Sequence, residues 1–112
     1  MELSKTDKKT ARILMDKGIQ KELDICNASV LDILTDWKNK KKDGSDTYGQ
    51  VYETVLKNNK YIALNYDGIS GIHYFDTVLN MYCKGLVSEE DINPFSETVR
   101  ERLKWIKESR LK

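Results

Sequence analysis

The chain has 112 residues, 39% hydrophobic, 33% charged and 9% aromatic, with one proline and six glycines. One ordinary domain fits that length and two with separate cores do not, so a single domain is expected over residues 1–112. The apolar content suffices for a core, which excludes a disordered chain, and the low proline content with abundant Lys, Glu, Leu and Asp favours helices over a turn-rich β-sandwich.

No apolar run approaches the ~20 residues of a membrane span. Met1-Glu2-Leu3-Ser4-Lys5 carries no secretory h-region, so a reducing cytoplasm is the expected setting. The net charge is +1, unevenly spread. Residues 1–42 carry ten basic and seven acidic groups, residues 43–98 three and nine, and residues 99–112 six and two. Basic ends flank an acidic middle, either as neighbours within one bundle or as a docking face for a basic partner.

Ser4 followed by Asp7 reads as an N-cap with an acid in the first turn. The helix they open carries Ala11, Leu14 and Met15 on one face. From Leu23 a second stripe runs through Cys26, Val30, Leu31, Ile33, Leu34 and Trp37. The two stripes are offset by about 110°, so a break or bend at Gly18 is expected. Lys38, Lys40, Lys41 and Lys42 follow as a cation-rich helix end, then the turn Asp43-Gly44-Ser45-Asp46.

Thr47 and Gln50 have capping-box spacing for the next helix. Its inward face would be Tyr48, Val51, Tyr52, Val55, Leu56, Ile62 and Tyr66, ending at Asp67-Gly68. Ser70 is the expected cap of a helix burying Ile72, Phe75, Val78, Leu79 and Tyr82, with Gly85 just past its end. Ser88-Glu89-Glu90-Asp91 has the signature of another helix start. Asn93-Pro94 then opens a last helix with the stripe Phe95, Val99, Leu103 and Ile106. The expected fold is an all-α bundle of four main helices and one short extra, mostly antiparallel.

The chemistry-bearing residues are few. His73 is the single histidine and shares a polar face with Asp76, Thr77, Asn80 and Lys84. It stands ten residues from Cys83, about 15 Å along one helix, too far for a nucleophile–base pair. Cys26 and Cys83 form no C-x-x-C motif and follow apolar patterns, which suits small buried side chains better than a disulfide or a zinc site. The stretch Asp43 to Gly49 fails as a calcium loop in both registers: with Asp43 first, Tyr48 and Thr54 fall where glycine and Glu are required, and with Gly44 as the glycine, Lys41 and Gln50 fall at ligand positions. Gly68-Ile69-Ser70-Gly71 lacks the closing glycine and preceding strand of a nucleophile elbow. No phosphate-cradling glycine loop occurs. No metal, cofactor or catalytic activity is therefore expected.

Ile62 to Asn80 echoes a helix-turn-helix, with Ala63 and Gly68-Ile69-Ser70 in the corresponding places. The spacing is one residue too long, and the recognition helix would offer Gly71-Ile72-His73-Tyr74-Phe75-Asp76, without the Arg, Lys, Asn or Gln that read bases. Lys38, Lys40, Lys41 and Lys42, with the basic terminal helices, are the better nucleic-acid candidate.

All six tyrosines lie between residues 48 and 82. Tyr61 and Tyr74 fall off the core stripes, as do Ile25 and Trp105. Tyrosine suits protein interfaces because its ring buries apolar area while its hydroxyl stays paired. The sequence thus points to a small non-catalytic interaction or regulatory module. Its partner would be another protein or a second copy, contacted through Ile25, Tyr61, Tyr74 and Trp105, with nucleic-acid binding as the alternative.

Overall fold

The computed structural model describes residues 1–111. The described chain is all-α, with helices α1 (Lys5–Lys38), α2 (Gly44–Tyr66), α3 (Tyr74–Cys83) and α4 (Glu97–Leu111), and a 3-10 turn over Gly71–His73. No described helix is long and apolar enough to cross a membrane. The chain groups into two compact units. One comprises Met1–Ile19 and the chain from Gly68 onward; the other is Gln20–Asp67.

The first unit holds most of the buried apolar side chains. Leu3, Ala11, Leu14 and Met15 come from the start of the chain, and Phe75, Val78, Leu79, Met81 and Tyr82 from α3. Leu86, Val87, Ile92 and Phe95 follow from the next connection, and Val99 and Leu103 from α4. Ser4 caps α1 as expected, its Oγ accepting from the Asp7 N–H at 3.1 Å. Asp7 is itself buried, and its carboxylate accepts from the Ser96 N–H at 2.9 Å and the Ser96 hydroxyl at 2.7 Å.

The expected break at Gly18 does not occur, because α1 runs through it without interruption. The glycine is there for close approach: a β-carbon at position 18 would stand 2.6 Å from the Met81 methyl and 3.1 Å from its sulfur. Its missing side chain makes room for a core residue, which offsets the helix-propensity cost of about 1 kcal/mol.

Three other elements differ from expectation, the last helix first: α4 starts at Glu97, not at Asn93-Pro94. Ser70 makes no side-chain cap bond, and the segment after it is a 3-10 turn that leaves Ile72 exposed. The short extra helix at Ser88 is instead a run of turns. Ser88 and Asp91 bond reciprocally, the Ser88 N–H donating to the Asp91 carboxylate at 2.7 Å and the Asp91 N–H to the Ser88 hydroxyl at 3.2 Å. Such a box ordinarily opens a helix, but here successive i→i+3 bonds from the Asn93 and Phe95 N–H groups tighten the chain into turns, with Pro94 lacking the N–H a ladder needs. Arg100 reaches back to the carbonyls of Asn93 at 3.1 Å and Phe95 at 2.6 Å, and Lys17 pairs with Asp91 at 2.5 Å. Gly85 closes α3 as expected, at φ +80°.

Candidate interaction surface

The second unit consists of the later part of α1, the link after Lys38, and α2. Both ends of the link are fixed by backbone bonds. The Lys41 N–H donates to the Asp36 carbonyl and the Lys40 N–H to the Trp37 carbonyl, each at 2.9 Å, which is a Schellman closure. Its left-handed residue is Lys40 at φ 63°, where glycine is usual. The start of α2 lies three residues before the capping box at Thr47 and Gln50. Asp43 is the cap, accepting from the Asp46 N–H at 2.7 Å, because a carboxylate already placed in the turn captures the first free donors. Thr47 falls inside α2 and is buried, and its hydroxyl lacks a hydrogen-bond partner.

Of the apolar side chains described in this unit, only Cys26 and Tyr66 are buried. Burial, with the Glu22 carboxylate nearby, pushes the Tyr66 phenol up to about 12. Leu23, Val30, Ile33, Val51 and Ile62 are half-buried and the remaining stripe residues are exposed, which corrects the expected inward faces. Leu31 is 64% exposed, Trp37 50%, Tyr48 77% and Tyr52 61%, and Leu34, Val55 and Leu56 are also exposed. The reason is geometric. The α1 stripe is about 160° wide at ~100° per residue, more than a single neighbouring helix covers.

Leu34 and Trp37 of α1 join Tyr48 and Val51 of α2 in one apolar cleft of about 240 Å³, with Gly44 and Thr47 at its edge. Leu31 continues this side along α1, and Tyr52, Val55 and Leu56 continue it along α2 by helical period. Leu34, Trp37, Tyr48 and Val51 thus form one apolar cleft shared by two helices, with further exposed apolar side chains along each helix.

The interface residues expected from sequence are placed as follows. Ile25 and Tyr61 come together in a groove of about 350 Å³ with Cys26, Ser29, Thr54, Lys57 and Asn58, on a different side of α1 from Leu31 and Leu34. Tyr74 belongs to the first unit, half-buried, with the Arg12 guanidinium 5.9 Å from its ring centroid. Trp105 is 64% exposed on α4 beside Thr98, Glu101 and Arg102. Lys38, Lys40, Lys41 and Lys42 are all exposed around the link, with Lys42 donating to the Gln50 side chain at 2.6 Å. Sequence reasoning missed Leu31, Leu34, Trp37, Tyr48 and Tyr52 as surface residues by assigning them to a core. The stripe width was the signal for Leu31, at its edge, whereas Trp37 falls between Cys26 and Val30 around α1 and its spacing carried none.

Elsewhere, Tyr82 donates to Glu89, and burial followed by that bond pushes its phenol well above the ordinary range. The Lys107 ammonium sits 4.2 Å from the Tyr82 ring centroid. His73 is exposed; Cys26 and Cys83 are both free thiols. Among the described residues no group of three or more His, Cys, Asp or Glu is arranged to hold a metal ion. Comparison with protein-family models, curated proteins and solved structures finds no match to this chain.

Proposed function

We propose that the chain is a small cytoplasmic, non-catalytic protein-interaction module, with α1 and α2 forming an antiparallel hairpin whose apolar side is the contact surface. The observation that carries this reading is the apolar cleft of Leu34, Trp37, Tyr48 and Val51, with Leu31 and Tyr52 exposed on the same two helices. Monomeric proteins rarely leave so large a contiguous apolar area in water, and rings with partly exposed indole or phenol groups suit the core of an interface. Ile25 and Tyr61 offer a second patch on another side of the hairpin, while Tyr74 and Trp105 supply aromatic contacts on the first unit.

The test is retention by tagged chain from native lysate, comparing wild type with Leu34→Asp/Tyr52→Asp, in nuclease-treated and untreated halves. The expected result is a stoichiometric companion, either another protein or further copies of the chain, that survives nuclease and is lost with the double variant. A companion held equally by the variant overturns the assignment of this face. A companion lost only with nuclease transfers the role to Lys38, Lys40, Lys41 and Lys42 as a nucleic-acid site.

A further inference from the structure

We propose that the partner on this face is a second copy of the same chain, paired antiparallel about Leu31 so that Lys38 of each copy meets Asp24 of the other. The proposal rests on the contact-surface reading above and goes further by fixing the occupant and its register.

Asp24, Leu31 and Lys38 are spaced seven residues apart on α1 and are all exposed. A seven-residue step drifts only ~20° around a helix, so the three share one side. Neither Asp24 nor Lys38 takes part in an ion pair among the described residues. They stand fourteen residues apart, about 21 Å along the axis, and cannot satisfy each other within one helix. A two-fold axis over Leu31 reverses the second helix and brings each Lys38 onto an Asp24, twice, with Leu31 against Leu31 at the centre. Parallel pairing would set like charge against like. An unrelated partner would give no reason for opposite charges equidistant from a central leucine.

Leu34 borders this line, about 60° round α1 from Leu31 at ~100° per residue, and is exposed with it.

The full chain should sediment at about twice its 13.0 kDa mass at micromolar concentration and physiological salt. Asp24→Lys and Lys38→Asp should each raise the dimer dissociation constant about tenfold, because two attractive pairs become two repulsive ones. An equimolar mixture of these two variants should restore wild-type association, since every facing pair is then again opposite in sign. Leu31→Asp should give monomer with unchanged helicity by circular dichroism, showing that the fold survives.

Wild type that stays at 13.0 kDa across the concentration range overturns the proposal. So does a dimer that ignores the charge swaps or is not restored by mixing. A monomer that retains a different protein through Leu34 and Tyr52 leaves the contact-surface reading standing and removes only the second copy. A monomer without any companion removes both.

Discussion

Asp7 and Ser96 lie 89 residues apart in sequence, and the Asp7 carboxylate accepts both the backbone N–H and the hydroxyl of Ser96. One short acid on the first turn of α1 therefore anchors the residue that precedes α4. Asp7 is buried and Ser96 is exposed, so removing the acid loses two charge-assisted bonds and leaves the Ser96 donors to water. Asp7→Ala should cost about 2–4 kcal/mol, and Ser96→Ala, which removes only the hydroxyl, about 1–2 kcal/mol. Urea midpoints of the two variants and their double mutant check this, with a coupling energy expected in the cycle.

Gly18 and Met81 make a second test of packing. Gly18→Ala gains helix propensity but forces the fully buried Met81 side chain to move, for a net loss of about 1 kcal/mol. On a Met81→Leu background, where the clashing methyl is absent, the same substitution should become stabilising by about 1 kcal/mol. Thermal unfolding of the four proteins gives the sign in each background.

The same Schellman closure ends α1 at Lys40 and α3 at Gly85, both with positive φ. Only the glycine adopts that backbone without a steric penalty. Lys40→Gly should therefore stabilise the second unit by about 0.5–1 kcal/mol, and Gly85→Ala should destabilise the first by about 1 kcal/mol. Amide exchange at Lys41 and Leu86, whose N–H groups close the two motifs, reports each change locally.

Asp91 links acid stability to the Lys17 contact. Its hydrogen bond from Lys17, and then that from the Ser88 backbone, hold its carboxyl below the usual range. A lowered folded value means the stabilisation is complete above the unfolded pKa of about 4 and fades as pH falls through the folded value. Asp91→Asn should be less stable than wild type at pH 7, and the gap should close as the pH is lowered past 4. A gap independent of pH would show that the carboxylate charge contributes nothing.

The helices of the first unit were readable because period and cover agree there. Phe75, Val78, Leu79 and Tyr82 on α3, and Phe95 and Val99 through Leu103 into α4, are buried on the faces their spacing marks. Ser4, Gly68 and Gly85 also act where turn chemistry places them. The same period misled in the second unit, since spacing tells which residues share a face and says nothing about whether another element covers it. Leu31, Trp37 and Tyr48 look like core residues by pattern and stand in water. Gly18 misled for a related reason: a glycine that ends a helix and one that admits a neighbouring methyl are the same letter. Asp7 was legible as a first-turn acid, but its bond to Ser96 depends on tertiary placement that no local pattern encodes.

The core of the first unit draws on residues 3–18 and on the chain beyond Gly68, with residues 20–67 inserted between them. During synthesis, Leu3, Ala11 and Leu14 emerge long before Phe75 or Leu103 exists to cover them. The intervening segment can close early through local contacts, but the first unit must wait for α3 and α4. Removal of α4 would thus leave apolar side chains of residues 3–15 partly uncovered, so the later helix decides the fate of the earlier one.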